Sequence, residues 1–236
     1  MLTYMGTKSS RISAPDRRRQ ILAVATKLFA RQGFRGTTTR EIAERARVNE
    51  AILFRHFPSK ESLYWAILEE KCHVARGRER LEAELNAPGD DREVLARIAE
   101  GILQRNTEDT TLSRLLLFSA LENHRLSQRY FRTHVARYYD ALAEHIRRGI
   151  RAGTFRRVDP ILAARGFLGM VVYHFLIQEL FGGRRYQKFD LQHVCTTLAD
   201  LWLAGMRNPA KRAGLRPKRR EVHPKRTWTT VRKIPR

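Results

Sequence analysis

Cysteine is nearly absent from this chain: Cys72 and Cys195 are the only two in 236 residues, and they lie far apart. That excludes a disulfide framework and a cysteine-rich metal site, and reads as two reduced, packed thiols in a cytosolic protein. Long apolar runs are also missing. The most apolar stretch, Gly166 to Ile177, ends at Gln178 and Glu179 and is too short to span a bilayer. Met1 to Arg11 lacks the apolar core of a signal peptide. The eight histidines are scattered, without His-Glu-x-x-His spacing, so no metal is inferred. There is no Walker-type glycine loop, dinucleotide fingerprint or nucleophile elbow, which argues against an enzyme and against a nucleotide cofactor. No segment shows convincing strand alternation, and no internal repeat appears. The expectation is an all-α, soluble, cytoplasmic protein with no membrane partner.

Acidic residues are scarce in one place only. The chain carries 46 Lys+Arg against 24 Asp+Glu, a formal net charge of +22, which favours a polyanionic partner. Residues 1–74 hold 14 basic and 7 acidic residues, residues 75–206 hold 20 and 16, and residues 207–236 hold 12 and 1. Half of the excess therefore sits in a short tail, and the middle of the chain is an ordinary solvated globule.

What the chain does contain begins at Asp16. Ile21, Val24, Ala25, Leu28 and Phe29 follow the i, i+3, i+4, i+7, i+8 spacing of a helix with one buried face, leaving Arg17, Arg18, Lys27 and Arg31 to solvent or phosphate. Gly33 is the residue type that ends a helix in the left-handed conformation, and Phe34 follows as an anchor. Thr38-x-x-Glu41 is a capping-box pattern opening a short helix through Ile42, Ala43 and Ala46. A turn at Arg47-Val48 leads to Asn49, a good N-cap, and to a second short helix ending near Phe57-Pro58. Two short helices, a tight turn and a basic surround are what a major-groove reader needs.

These residues resemble a known family. Thr38-Thr39-Arg40-Glu41-Ile42-Ala43, Ala46-Arg47-Val48, Leu53-Phe54-Arg55-His56-Phe57 and Ser59-Lys60-Glu61-x-Leu63 look like the N-terminal domain of the tetracycline-repressor (TetR) family, nearly without gaps over the first third of the chain. The resemblance implies a dimeric, ligand-responsive transcription regulator, usually a repressor. It places Glu50, Ala51, Ile52 and His56 close to bases or the adjoining backbone. Chemically, Ala51 and Ile52 suit thymine methyls, Glu50 a cytosine amine, and Arg55 a guanine or phosphate; Ile52 equally suits the core beside Leu53. Thr38, Thr39 and Arg40 at one helix start and Lys60 at the next are the phosphate candidates, because helix N-termini offer free N–H groups. Three positions depart from the family pattern. Phe54 stands where Tyr is common, removing a hydroxyl worth about 0.5–1.5 kcal/mol as a hydrogen bond. Arg47 stands where Gly is common in the turn, so either a non-glycine residue is held at positive φ or the turn is reshaped. Ala51 and Ile52 replace a small or hydroxyl pair, so no operator sequence carries over.

Further along, Ser59 caps a helix with Glu61 in its first turn, running through Leu63, Ile67 and Leu68 as far as Leu85. Pro88-Gly89-Asp90 is a break. Helical patterns follow over about 91–106, 109–122 and 127–152, the last ending at Gly153. Asp159-Pro160 is a strong helix start, opening an apolar helix that stops near Phe181-Gly182-Gly183. A last helix covers about Asp190 to Leu203. This gives an arm over 1–14, a helix-turn-helix domain over 15–62, a larger helical ligand-binding and dimerisation domain over 63–206, and a basic tail over 207–236. Gly149-x-x-x-Gly153-x-Phe155, Asp159-Pro160 and Ala163-Ala164 also resemble the approach to the penultimate helix in TetR regulators. That implies a four-helix interface between two subunits, with Leu168, Val172, Phe175, Leu198, Leu201 and Trp202 as candidates. A helix apolar on nearly every side needs cover on both, from a two-fold partner or from within one monomer.

The family resemblance also implies a small-molecule pocket in the second domain, and Phe118, Tyr138, Phe167, Tyr173 and His174 are candidates for its lining, though the same residue types fill any helical core. In the tail, Lys218-Arg219-Arg220, Lys225-Arg226 and Trp228 lie among Pro209, Pro217, Pro224 and Pro235, a composition that resists packing; the tail reads as a basic arm adding sequence-independent, salt-sensitive affinity for nucleic acid, or as a solvated extension with no dedicated partner. The leading expectation is a homodimeric repressor released from a palindromic double-stranded DNA operator by a small-molecule inducer of unknown identity. The alternatives are a sequence-independent nucleic-acid-coating protein driven by the tail, and a constitutive regulator with no inducer.

Overall fold

In the computed structural model, Ser13 opens the first helix: its hydroxyl accepts the Asp16 N–H, and Pro15 sits in the first turn. Ser13, expected inside the arm, thus caps α1, and Ala14, also expected there, is its first residue. The structure describes residues 13–122 and 125–208; the expected arm over 1–12 and the tail from 209 onward lie outside them. The order is α1 (Ala14–Gln32), α2 (Thr39–Arg45), α3 (Glu50–His56), α4 (Lys60–Ala75), α5 (Gly77–Asn86), α6 (Asp91–Glu108), α7 (Thr111–Leu121), α8 (Arg125–Tyr130), α9 (Ala136–Arg151), α10 (Pro160–Phe175) and α11 (Leu191–Met206). Among the described residues the only β-type pairing is one isolated bridge, Phe155 to Arg207.

Side-chain caps set the helix starts. Thr38, Asn49, Asp90, Asp159 and Asp190 each accept a backbone N–H three residues on, satisfying donors that a helix leaves open. At α4, Ser59 and Ser62 cap each other reciprocally. The helix after Ser59 does not reach Leu85 unbroken. Arg76 turns left-handed at φ 42°, and α5 leaves at a new angle that buries Leu81 against α9. That packing is invisible in the local apolar period.

Two hydrophobic cores result. The first joins α1 to α4 through Ile21, Phe29, Ile42, Leu53, Leu63 and Leu68, and takes in Leu115, Leu126 and Tyr130 from α7 and α8. The second packs α5, α6, α9, α10 and α11 around Leu95, Leu142, Ile146, Phe167, Val171 and Trp202. Both long C-terminal patterns contain a π-helical turn, Phe131–Val135 between α8 and α9 and Leu176–Leu180 after α10. The second extends the apolar helix to Pro160–Leu180, which by length and composition is enough to cross a membrane, longer than the apolar core of that segment suggested. Its inner face, Phe167, Leu168, Val171 and Phe175, is buried in the second core, whereas Leu162 and Tyr173 are 64% and 65% exposed.

The Gly149-x-x-x-Gly153-x-Phe155 pattern has a steric cause. Gly153 takes φ 69° to end α9, and the chain returns Phe155 over Gly149, where an added Cβ would collide with the Phe155 ring. Phe155 is buried, edge-on to Trp202 at 5.8 Å, so it has nowhere to retreat. Gly149→Ala should therefore cost about 1–3 kcal/mol through overpacking, although alanine is the better helix former; equilibrium urea unfolding of the two proteins measures it.

Candidate nucleic-acid interface

The exposed short helix α3 is held from behind. Leu53 and Phe57, both buried, point into the first core, and Arg18 of α1 lies over the Phe57 ring at 4.8 Å. The turn before it is fixed by Arg47 N–H to Glu44 C=O at 3.1 Å and Val48 N–H to Ala43 C=O at 2.9 Å. Arg47 has φ 52°: of the two outcomes left open by the sequence, the turn keeps its shape and the arginine adopts the left-handed backbone.

With its inner face committed, α3 presents Ala51, Phe54 and Arg55 to solvent, flanked by half-buried Glu50, Ile52 and His56. Glu50 is already engaged: it accepts the Thr39 hydroxyl at 2.6 Å, a bond that staples α2 to α3. Two candidate DNA contacts are therefore spent on each other, and Thr39 retains its backbone N–H at the start of α2. Arg40 pairs with Glu44 at 3.0 Å, but both side chains are well exposed, so the pair is weak and a phosphate can replace the carboxylate. Thr38 uses its hydroxyl on the Glu41 N–H at 3.1 Å. Only half of the expected capping box forms among these bonds, since the Glu41 carboxylate turns to Arg45 at 3.1 Å. Lys60 lies 4.3 Å from the Phe34 ring centre. Burial pulls its pKa below the usual lysine range, opposed by Glu122 and Glu61. Its ammonium thus covers an aromatic ring at the start of α4.

Nothing in the residue pattern signals the seam between the reading domain and the helical body. Tyr64 of α4 donates its hydroxyl to the Leu115 carbonyl at 2.6 Å, Arg114 donates to the Ala30 carbonyl at 2.7 Å, and Glu122 accepts the Arg35 N–H at 3.1 Å. Gly33, at φ 76° with an extended ψ rather than the left-handed value expected, lies against Glu122 and Phe118 with no room for a Cβ. Further along α4, Arg129 lies over the Trp65 ring at 3.8 Å, and Lys71 meets Asp109 at 2.7 Å. Burial opposes ionisation of Asp109, yet hydrogen bonds from Lys71 and Thr111 hold its pKa down at about 2.

The five candidate pocket residues do not converge. Phe118 belongs to this seam, near Gly33 and Arg114. Tyr138 packs at the edge of the second core, where burial raises its pKa to about 12 against the pull of Arg105. Phe167 is core, and Tyr173 is exposed. His174 alone lines a cleft, together with residues of α6 and α11. The six interface candidates also divide: Leu168, Phe175 and Trp202 are buried within the subunit, Leu198 is half-buried, and Val172 and Leu201 face outward. Trp202 donates to the Ala163 carbonyl at 3.0 Å.

The family model for bacterial regulatory proteins of the tetR family matches residues 21–67, and that for the C-terminal domain of AefR-like transcriptional repressors matches residues 93–204. The nucleoid occlusion factor SlmA of Vibrio atlanticus (strain LGP32) is 30% identical over 176 residues, 70% of this chain and 83% of that protein. The chain belongs to the TetR family. Other TetR-type relatives match over less of their length. The HTH-type transcriptional regulator YvkB of Bacillus subtilis (strain 168) is 46% identical over 22% of this chain and 28% of that protein. The HTH-type transcriptional activator FasR of Mycolicibacterium smegmatis is 30% identical over 46% and 49%. Among solved structures, a transcriptional regulator from Saccharomonospora viridis in complex with choline aligns with TM-score 0.63 and 26% identity over 82% of this chain and 98% of that one. FadR of Bacillus subtilis in complex with stearoyl-CoA aligns with TM-score 0.63 and 21% identity over 79% and 98%, a likeness of fold. TetR-family relatives and fold are those of transcription regulators and not of enzymes.

Two predictions follow from the local geometry. Arg47→Gly removes a left-handed cost of about 1–2 kcal/mol and adds chain entropy of about 0.5–1, so the variant should be the more stable by thermal unfolding. His134, in the π turn beside Tyr130 and Trp65, has a buried Nε2 with no hydrogen-bond partner. Burial lowers its pKa, Glu69 opposes the shift and Arg137 adds to it. The unfolded chain takes up that proton first, so the contribution is complete above about pH 6.5 and is lost as pH falls below it. His134→Phe should flatten the fall in melting temperature between pH 7 and pH 5.

Proposed function

We propose that this chain is a cytoplasmic, sequence-specific transcription regulator that binds a palindromic operator as a homodimer and is released by a small molecule. The observation that carries the reading is α3, whose Ala51, Phe54 and Arg55 are presented outward while Leu53 and Phe57 lock its back to the core. A rigid helix with an uncommitted outer face, preceded by a helix whose N-terminus is open, suits insertion into a major groove. Nothing in that face needs rearrangement except the exposed Arg40–Glu44 pair.

Dimerisation is supported by the outer faces of α10 and α11. Leu162, Tyr173 and Leu201 are each more than 60% exposed, and Gly166 and Gly169 between them leave open space where side chains would be. A second copy laid across these two helices covers the apolar residues and uses the glycines for close approach. Release by a ligand is supported by the seam: α7 and α8 touch α1 and α4 through bonds that register any shift of the helical body. Structural neighbours have been solved in complex with choline and with stearoyl-CoA, which supports a ligand-binding body.

Selection of bound duplexes from a random library tests the reading. The full chain should enrich an inverted repeat, and Arg55→Ala should weaken the selected site by about 1–3 kcal/mol while relaxing preference at one base position per half-site. Leu201→Glu should yield monomers by sedimentation and lose the repeat. Retention of duplexes without any shared sequence would overturn specific recognition.

A further inference from the structure

A cleft of about 240 Å³ opens at the end of the body away from the seam's aromatic cluster, between the last turns of α6, the π turn after α10, the loop before α11 and the first turns of α11. Its apolar floor is Leu103, Phe175 and Val194, all buried. Phe189 closes one side, edge-on to His174 at 5.8 Å.

Charge in this cleft has a definite sign. Glu108 and Glu179 both line it, against a single cation, Arg184. Glu179 is the unusual member, with its side chain only 15% exposed. The π turn brings it there: Phe181 N–H reaches back five residues to the Leu176 carbonyl at 3.0 Å, and such widened turns recur at functional sites. Two weak partners satisfy the carboxylate. Thr107 donates at 3.4 Å, and Arg184 approaches at 3.2 Å from the 3-10 turn Gly183–Arg185, with its own side chain 57% exposed. An arginine that exposed is a tether of little energy, whereas a half-buried carboxylate without a cation is costly. Arg184 therefore occupies a cation position that a ligand can take over.

We propose that this cleft binds a small organic cation, an alkylammonium or quaternary ammonium group held by Glu179 beside Phe175 and Phe189 in exchange for Arg184. Aromatic rings next to a carboxylate are the environment such cations favour, and the excess carboxylate repels fatty acids and acyl phosphates. This rests on the ligand-responsive reading above and gives it a chemical class. It also supplies a route outward. Glu108 in the cleft wall adjoins Asp109, whose carboxylate holds Lys71 of α4, so a cation that repositions the end of α6 acts on the helix carrying the reading domain.

The test is calorimetric titration of the full chain with tetramethylammonium, butylammonium and octanoate, with thermal unfolding in parallel. A cation should bind and octanoate should not. Glu179→Gln, which keeps the side chain's shape, should weaken the cation at least tenfold, and Arg184→Ala should tighten it several-fold by removing the internal competitor. A merely structural Arg184–Glu179 pair predicts the opposite for Arg184→Ala, a less stable protein with no gain in affinity, and that result overturns the proposal. So does binding of octanoate alone, or cation binding that ignores Glu179→Gln. Operator affinity of the same samples separates the two readings. A Glu179-dependent cation that leaves DNA binding unchanged keeps the site and sinks ligand release, whereas release by octanoate alone does the reverse.

Discussion

The hydrogen bond from the Tyr64 hydroxyl to the Leu115 carbonyl lies inside the first core and ties α4 to α7, 51 residues apart in sequence and fully enclosed. Burial pushes the phenol well above its ordinary pKa, so it remains a donor at any pH the fold survives. Around it, Phe29 and Phe34 set their rings against Tyr64 at 4.9 and 5.4 Å, and Arg114 and Glu122 secure the backbone on either side of Gly33. Without this seam the three-helix reading domain would sit on the body by α4 alone, through a left-handed Arg76 and no aromatic cluster. With it, α1, α4, α7 and α8 form one continuous packed layer, and the orientation of α3 becomes a property of the whole subunit.

What the sequence made legible is what depends on near neighbours. Asn49, Asp159 and the Gly153 stop act within one helical turn, and each could be read from residue type and spacing. The positive φ at Arg47 could be posed as one of two outcomes because turn geometry is local. The break at Arg76, the π turns and the cleft could not. Each arises from contacts between distant segments: Leu81 on α9, or Glu179 beside Thr107. Leu201 and Trp202, or Tyr173 and Phe175, are all apolar or aromatic, and apolarity alone cannot sort them into inner and outer faces. Aromatic residues chosen for a pocket are the clearest case, since Phe118, Phe167 and Tyr173 have three different surroundings and only His174 opens on a cleft.

The reading face illustrates a more general economy. Residue types able to meet DNA are also able to meet one another, and in the free chain several do. Thr39 with Glu50 is a buried-edge contact that fixes the angle between α2 and α3, and Arg40 with Glu44 is an exposed pair that water and salt can loosen. The first shapes the surface and the second is available to a phosphate. The outward side chains of α3 that remain are Ala51, Phe54 and Arg55, with Phe54 offering ring area in place of a hydroxyl.

The path from α8 to α9 runs from Arg125 to Arg151, about 40 Å at the rise of a helix, starting in the core beneath the reading domain and ending where Phe155 folds back. At that far end the chain makes its last described bonds: Arg156 N–H to Met206 C=O at 2.9 Å and Asn208 N–H to Thr154 C=O at 3.0 Å. The chain beyond Asn208 therefore leaves from a fixed point beside Gly153 and Thr154, on the helical body and not on the reading domain.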